Sequence, residues 1–377
     1  SDVQIGEGQI MGWSPDGKHV VFSSYVSGTN GIYRMAVDNG KAAGAAELVR
    51  LAPGKTVPVG IDGKGTLYYV DKDFQIDAFT AGIDVANARF TTEPERVTKR
   101  YEGRNMAPLW SPDGSKLAWF GLKDFMNAYM VVIRDLATGQ ERDLLMQIPA
   151  PFRKYPTWQS DGSAFLFAKG DPFNPISTTL YRIDAGTGAA SQIHADGRIT
   201  DWSGDGTKLY KGDWPKNDHF VWDARTGQET KLFHDESSFQ REMTVSPDGS
   251  KMAYVAHYDA PAGSPDFYGD VFIRVRDLAT GESKDLVKVR PAWYGRMMTW
   301  TPDGKYLLYV TEPYYGGTFD STQIWVVPAA GGEARKMGPE YKGRVFGLRV
   351  SPDGKKIAYD VTEHTDKMWA LSNFLPR

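Results

Sequence analysis

The chain of 377 residues contains no cysteine. Disulfide bonds, thiol catalysis and zinc sites with cysteine ligands are therefore excluded. The absence does not identify a cellular compartment, because a fold that is stabilised by its own core needs no disulfide in either redox environment.

Long apolar runs and an excess of one charge are also missing. No segment approaches the ~18 to 20 consecutive apolar residues that a membrane-spanning helix needs, so we expect no membrane insertion. The 44 Lys and Arg residues nearly balance the 47 Asp and Glu residues, for a net charge of −3. This balance argues against nucleic acid as a partner, since a nucleic-acid-binding protein would carry a basic face.

Two common enzyme signatures are absent as well. Gly54-Lys55-Thr56 looks like the end of a phosphate-binding loop, but Val49 occupies the place of its first glycine. No Gly-x-Ser-x-Gly nucleophile elbow occurs. The sequence therefore contains no catalytic set that motifs alone can assign.

A motif that begins as Trp13-Ser14-Pro15-Asp16-Gly17 recurs along the whole chain. Eight copies of the motif contain its Asp-Gly pair, at steps of 43 to 55 residues. The pairs begin at Asp16, Asp62, Asp113, Asp161, Asp205, Asp248, Asp303 and Asp353. A repeat of this length is typical of propeller blades, and its extent from end to end predicts one closed body.

The motif is first of all a turn sequence. Proline fixes φ near the value that a tight turn needs, aspartate bonds nearby backbone, and glycine accepts positive φ. Each copy predicts a hairpin between a strand A before the motif and a strand B after it. The alternative, a ring of catalytic aspartates, is not required because turn chemistry accounts for these residues.

A second turn signal follows in phase with the first, as in Arg134-Asp135-Leu136-Ala137-Thr138-Gly139. It separates two further strands, C and D, so each repeat predicts a four-stranded antiparallel blade. We predict an all-β, eight-bladed β-propeller that occupies 1–377 as a single domain. Its blades are expected at about 9–51, 56–100, 105–148, 153–194, 198–234, 241–288, 296–338 and 345–377, the last together with 2–6.

The last repeat predicts how the ring closes, because it lacks a D strand of its own. Residues 2–6 alternate apolar and polar side chains, and as a strand they would complete the last blade and cover two open sheet edges. The alternative is an unpaired N-terminal tail. The second repeat deviates most, with weak turn signals between Ile76 and Ala86.

The repeats, with Trp-Ser-Pro-Asp-Gly before a Lys-x-apolar-Ala-aromatic strand, resemble the PD40 or WD40-like repeats of bacterial TolB-type propellers. The resemblance covers the whole chain and implies a fold, but it leaves function open. Similar propellers bind partner proteins in the periplasm, precede the catalytic domain of dipeptidyl-peptidase-IV-like and tricorn-like proteases, or act as the enzyme in oligogalacturonate lyases. The stretch from Met368 to Pro376 also resembles the end of multi-propeller proteins, which implies that the chain can be part of a larger polypeptide.

In a propeller, the loops from D to A and from B to C emerge on one face, around the channel mouth, and we expect a ligand site there. Arginine precedes six A strands, and aromatic residues or histidine follow several B strands. Guanidinium groups clamp carboxylates or sulfates, and aromatic rings stack on sugars or peptide side chains. The alternative is that each arginine pairs with an acid of a neighbouring blade and is structural. The candidate ligand-binding residues are Arg104, Arg153, Arg198, Arg241, Arg296, Arg344, His257, Tyr258, Tyr314, Tyr315 and Trp214.

Histidine offers the other chemistry at this face. His234 and His257 fall in adjoining blades, so a metal site near them is the alternative to two solvated surface histidines. Their spacing does not demand a metal, and we predict no cofactor.

The sequence favours a binding module that recognises a protein, a peptide or an anionic glycan at the channel mouth. The alternative is a polysaccharide lyase or glycoside hydrolase that acts on an acidic oligosaccharide at the same face, which the long aromatic loops at 259–270 and 312–321 suggest. The resemblance implies a periplasmic or secreted location.

Overall fold

The structure, a computed structural model, describes residues 9–26, 29–52, 55–100, 105–122, 129–146, 156–170, 178–195, 198–203, 206–213, 216–237, 239–258, 270–289, 298–311 and 321–375. Every regular element in these ranges is a β-strand. Within them, no helix of a length and apolarity that would cross a membrane is found.

The first nine strands include one of unusual length. Their bounds are β1 (Gln9–Trp13), β2 (His19–Val26), β3 (Thr29–Asp38), β4 (Lys41–Ala42), β5 (Glu47–Leu51), β6 (Lys55–Ile61), β7 (Leu67–Asp84), β8 (Arg89–Phe90) and β9 (Glu95–Arg96). Strands β1 to β5 form an antiparallel sheet in which β4 and β5 both pair with β3. Strand β7 pairs with β6 near its start and with β8 and β9 near its end.

Five regular sheets follow in chain order. Their strands are β10 (Asn105–Trp110), β11 (Lys116–Leu122), β12 (Tyr129–Asp135), β13 (Glu141–Leu145), β14 (Thr157–Trp158), β15 (Ala164–Gly170), β16 (Thr178–Asp184), β17 (Ala190–Ala195), β18 (Arg198–Trp202), β19 (Lys208–Asp213), β20 (Asp218–Asp223), β21 (Glu229–His234), β22 (Phe239–Val245), β23 (Lys251–His257), β24 (Val271–Asp277), β25 (Ser283–Lys288), β26 (Met298–Trp300), β27 (Tyr306–Thr311), β28 (Thr322–Pro328) and β29 (Arg335–Tyr341). Each consecutive group of four forms one antiparallel sheet, in the order A-B-C-D.

The remaining strands, β30 (Arg344–Val350) and β31 (Lys356–Leu371), join the sheet of β6 and β7 in the order β30-β31-β7-β6. The Ile83 N–H donates to the Lys355 carbonyl at 2.8 Å, and the Thr66 and Ser372 hydroxyl oxygens are 3.1 Å apart. Strands β7 and β31 are therefore antiparallel neighbours along their whole length.

The two long strands change how the second and last repeats pair. From the sequence, we expect 56–100 and 345–377 to form separate blades. In the structure, the hairpin β6–β7 is completed by the second half of β31, and the hairpin β30–β31 by the second half of β7. The physical reason is that 71–75 and 363–367 contain no Gly, Pro or Asn, so neither strand B turns back on itself.

The predicted all-β propeller fold with eight antiparallel blades is confirmed, with two blades contained in the six-stranded sheet. We number each blade by its A strand: β1, β6, β10, β14, β18, β22, β26 and β30 begin blades 1 to 8. The predicted strand 2–6 lies outside the described residues, so ring closure by it stays a prediction.

The chain divides into two compact units. Of the described residues, unit 1 contains those from 9 to 75 and from 363 to 375, and unit 2 those from 76 to 362. Unit 1 holds blades 1 and 2, whose shared core includes Met11, Val21, Leu67 and Tyr69. The assignment of all eight blades to one ring and one domain stays a prediction.

Unit 2 holds blades 3 to 8, and its apolar cores join these blades in a closed cycle. One core packs Phe120 of blade 3 against Phe167 of blade 4, with ring centroids 6.3 Å apart. Similar cores join blades 4 to 5, 5 to 6, 6 to 7 and 7 to 8. The last core, around Trp119 and Ala358, joins blade 8 back to blade 3.

The motif forms the A–B turn in the described blades, as in blade 3. Asp113 Oδ1 accepts hydrogen bonds from Ser111 Oγ at 2.6 Å and from the Ser115 N–H at 3.0 Å. Gly114 follows with φ of 71°. The hydrogen bond from Ser111, with those from Ser115, holds the pKa of Asp113 well below its usual range. The interpretation of these aspartates as turn formers is confirmed for the described copies.

Two motif tryptophans join neighbouring blades of unit 2. The indole N–H of Trp110 donates to the Arg349 carbonyl of blade 8 at 3.2 Å. That of Trp300 donates to the Thr244 carbonyl of blade 6, also at 3.2 Å. Because both indoles are buried, each contact combines a hydrogen bond with apolar burial.

Candidate functional site

Three of the predicted arginines lie in the described A strands. Arg198 begins β18, Arg241 lies in β22 opposite Val255, and Arg344 begins β30 opposite Thr362. The side chain of Arg344 is half-buried. The candidates that lie outside the described residues are Arg104, Arg153, Arg296, Tyr314, Tyr315 and Trp214.

A polar cluster lies at the channel-mouth ends of blades 5 and 6, around Asp235. This carboxylate follows strand β21 and is 4% exposed. It accepts hydrogen bonds from the Tyr254 hydroxyl and, at 2.9 Å, from the Ser237 N–H. Arg274 Nη1 of blade 6 lies 3.7 Å from Asp235 Oδ1. The cluster therefore ties the end of blade 5 to strands B and C of blade 6.

Arg274 also positions Tyr258, one of the predicted ligand-binding residues. Its guanidinium makes a bidentate contact with Asp285, with Nε at 2.7 Å from Oδ1 and Nη2 at 2.9 Å from Oδ2. Nη2 also donates to the Tyr258 hydroxyl, and the guanidinium lies 5.4 Å from the centre of the Tyr258 ring. The ring packs edge-on against Phe272. Tyr258 is thus held by two side chains, Arg274 and Phe272, before any ligand arrives.

The electrostatics of the cluster fix its charges. Burial raises the pKa of Asp235, but the hydrogen bonds from Tyr254 and Ser237 and the charge of Arg274 lower that pKa further, so the net shift is downwards. Burial and the hydrogen bond to Asp235 raise the pKa of Tyr254. The hydrogen bonds to Asp285 raise the pKa of Arg274. Near neutral pH the cluster therefore holds an ionised Asp235, a neutral Tyr254 and a charged Arg274.

The two histidines of the metal hypothesis lie at strand ends. His257 ends β23, opposite Phe239 and Val271. His234 ends β21, and its Nδ1 lies 2.9 Å from Asp218 Oδ1. Hydrogen bonds from Lys231 and His234 lower the pKa of Asp218. Among the residues that the structure describes, no group of three His, Asp or Glu that could hold a metal ion is found.

The sequence did not single out Arg274 or Asp285. Arg274 alternates with apolar residues in β24, so its face of the strand could be read from the sequence. Its acidic partners could not, because one lies in the neighbouring strand and the other in the preceding blade. Arg274 links blade 6 to blade 5. This structural role is the alternative that the sequence left open for the six predicted arginines.

A pocket of about 280 Å³ lies at the opposite ends of blades 3 and 4, among their turns. Its lining includes Asp113, Asp161 and Arg142. Arg142 donates to the carbonyls of Ala185 and Gly186, and both aspartates cap their own turns. The polar groups of this pocket thus serve the turns that surround it.

Comparison with solved structures finds propellers. A putative TolB from Agrobacterium tumefaciens is 16% identical, with a TM-score of 0.53, over 77% of this chain and 99% of that one. TolB from Acinetobacter baumannii is 19% identical, with a TM-score of 0.48, over 70% of this chain and 67% of that one. An oligogalacturonate lyase in complex with manganese is 16% identical, with a TM-score of 0.44, over 94% and 89%.

No protein-family model matches the chain, and no curated protein sequence matches it either. At the identities found, structural similarity establishes the fold alone. The match to the Agrobacterium tumefaciens protein spans nearly all of that protein. The chain has the fold of the TolB-type β-propellers.

Proposed function

We propose that the chain is a binding module that recognises a protein partner at the channel-mouth face. The observation that carries the proposal is the preorganised Tyr258, which contacts Arg274 and Phe272; Arg274 is in turn held by Asp285. An aromatic side chain that is ordered before binding loses little conformational entropy in the complex, which favours affinity. The half-buried Arg344 adds a cation at the same face.

The alternative is a polysaccharide lyase or glycoside hydrolase at this face. Such enzymes need a carboxylic acid with a raised pKa or another group tuned for proton transfer. At the described part of this face, the pKa values of Asp235 and Asp218 are lowered and that of Tyr254 is raised. None of these three groups has the raised carboxyl pKa of a general acid. A periplasmic or secreted location belongs to the same proposal and rests on the resemblance of the repeats.

The test is a binding survey of the full chain. Arrays of defined peptides and a panel of acidic oligosaccharides are probed with wild type, Tyr258→Ala and Arg344→Ala, and oligosaccharide cleavage is measured in parallel. Lys305→Ala is the matched control for Arg344→Ala, because it removes an exposed cation from a turn at the opposite face. Peptide binding that both site variants weaken tenfold, and that the control leaves unchanged, supports the proposal.

Two outcomes contradict it. Cleavage of an oligosaccharide that is lost in His257→Ala would establish the enzyme alternative. Binding that is unaffected by Tyr258→Ala and by Arg344→Ala would place the ligand elsewhere on the molecule.

A further inference from the structure

Each B strand has one equivalent position, and in seven of the eight blades the side chain at this position is buried. The position follows the residue that pairs with the last residue of strand A; in blade 3, Trp110 pairs with Leu117, and the covered residue is Ala118. Seven of these side chains are at most 4% exposed, whereas Tyr68 of blade 2 is 37% exposed. In chain order the eight are Val21, Tyr68, Ala118, Leu166, Tyr210, Ala253, Leu308 and Ala358.

The last residue of strand A in the following blade provides the cover. Trp158 shares a core with Ala118, and Trp300 shares one with Ala253. In unit 1, Ile61 of blade 2 packs on blade 1, where a Cβ added at Gly12 would lie 3.1 Å from its side chain. The contact is therefore a general feature of this chain and joins successive blades in both units.

Within unit 1, blade 2 presents an apolar face that no described residue of this unit covers. Val59 is 61% exposed and Met368 is 70% exposed. Lys72 Nζ lies 3.8 Å from Asp366 Oδ2, and this register of β7 and β31 places Met368 opposite Val70, on the Tyr68 face. A Cβ added at Gly60, next to Tyr68 in the sheet, would meet nothing within 4 Å. We call the surface of Val59, Gly60, Tyr68 and Met368 the open face.

Unit 1 also contains a tryptophan of the kind that covers such a face. Trp13 ends strand A of blade 1 and is 51% exposed. The motif tryptophans of unit 2 are at most 9% exposed, namely Trp110, Trp158, Trp202 and Trp300. Trp13 is therefore the one motif tryptophan in the described chain that is half free to pack on a further blade.

We infer that unit 1 mediates head-to-tail association of this chain, with Trp13 of one copy on the open face of a second copy. The indole N–H would donate to the Gly60 carbonyl, as Trp110 and Trp300 donate to the equivalent carbonyls of their preceding blades. The ring would cover Tyr68. The two surfaces differ and both belong to one unit, so the contact is heterologous and leads to a ring or a chain of copies.

The test is the molar mass of the full chain, measured by light scattering and sedimentation velocity over a range of concentrations. We expect species larger than the 41.9 kDa monomer. Trp13→Ala removes the covering ring, and Met368→Glu places a charge on the open face. Each variant is expected to raise the dissociation constant at least tenfold. Both positions are exposed, so the variants should fold, which circular dichroism checks.

A mixing experiment distinguishes this contact from other associations. Trp13→Ala keeps the open face and Met368→Glu keeps Trp13, so the two variants together should form a one-to-one dimer that grows no further. Leu145→Glu, at a site of unit 2 that is 63% exposed, is the control and should associate like wild type. A chain that is monomeric at every concentration, or association that neither variant weakens, would overturn the inference.

Discussion

Removal of the Asp235 carboxylate tests the polar cluster that ties blade 5 to blade 6. In Asp235→Ala, the buried Tyr254 hydroxyl and the Ser237 N–H lose their acceptor. Loss of one partner of a buried charged pair costs about 3 to 5 kcal/mol. Arg274 keeps its bidentate contact with Asp285, so the loss should lie near the lower limit, at about 3 kcal/mol of unfolding free energy.

The hydroxyl of Tyr254 accounts for most of that loss. A hydrogen bond to a charged group contributes about 1.5 to 3 kcal/mol, so Tyr254→Phe should cost about 2 kcal/mol. The double variant should cost no more than Asp235→Ala alone, because both changes remove the same contact; the coupling is about 2 kcal/mol. Urea unfolding at pH 7, followed by tryptophan fluorescence, measures all three values.

Acidification gives an independent measure of the same contact. The pKa of Asp235 in the folded chain is lower than the ordinary value. Its stabilising contribution is therefore present above about pH 4 and is lost as the pH falls through the folded pKa. The difference in unfolding free energy between wild type and Asp235→Ala should become smaller below pH 4 and stay constant between pH 5 and 8.

The control for this series is Glu236→Ala, an exposed neighbour that should change stability by no more than about 0.5 kcal/mol. If the costs of Asp235→Ala and Tyr254→Phe add in the double variant, the two side chains do not share a contact and the reasoning fails.

Three further changes test the blade contacts and the turns. Trp300→Phe removes a buried hydrogen bond between blades and should cost about 1 kcal/mol in thermal unfolding; Trp158→Phe should cost less, because the indole nitrogen of Trp158 meets no acceptor among the described residues. Gly338 has a φ of 74°, and a Cβ at this position would lie 2.5 Å from the ring of Phe90, so Gly338→Ala should lower the free energy of unfolding by about 3 kcal/mol. Gly304→Ala should lower it by only about 1 kcal/mol, because φ is 67° there and a Cβ would meet no neighbouring atom. The pKa of Asp248 is lowered to about 2, so the contribution of its carboxylate to stability is present above about pH 4 and is lost towards pH 2. In Asp248→Asn, the thermal midpoints at pH 7 and pH 2.5 should therefore differ less than in wild type. An unchanged difference would show that Asp248 does not stabilise its turn.

Local chemistry made the turns and most strands predictable. The sequence around Asp113 contains every group that its turn uses, so the hairpin follows from five residues. The pairing of β7 with β31, in which the second half of each strand completes the hairpin of the other, was not predictable in the same way. The absence of a turn signal at 71–75 was visible in the sequence, but which distant strand completes each hairpin depends on partners that lie far along the chain.

The candidate site shows the same division. The position of Tyr258 at the end of strand B follows from the repeat. Its hold by Arg274 does not, because the charge partners of that arginine come from a neighbouring strand and from another blade. Contacts within a turn can be predicted from the sequence, whereas contacts between strands require the register and the packing of the sheets.

Blade 8 is built from strands that lie far apart in the sequence, and this affects the order in which unit 2 folds during synthesis. Its strand C, the second half of β7, leaves the ribosome before blades 3 to 7, whereas its hairpin β30–β31 leaves after them. The core that joins blade 8 to blade 3 therefore forms last, and long-range closure of this kind is slow. Until then, the apolar flank of blade 3 around Trp119 lacks Ala358 and has only Ala78 and Val97 of its partners from outside blade 3. We therefore expect folding of the nascent chain to depend on chaperones.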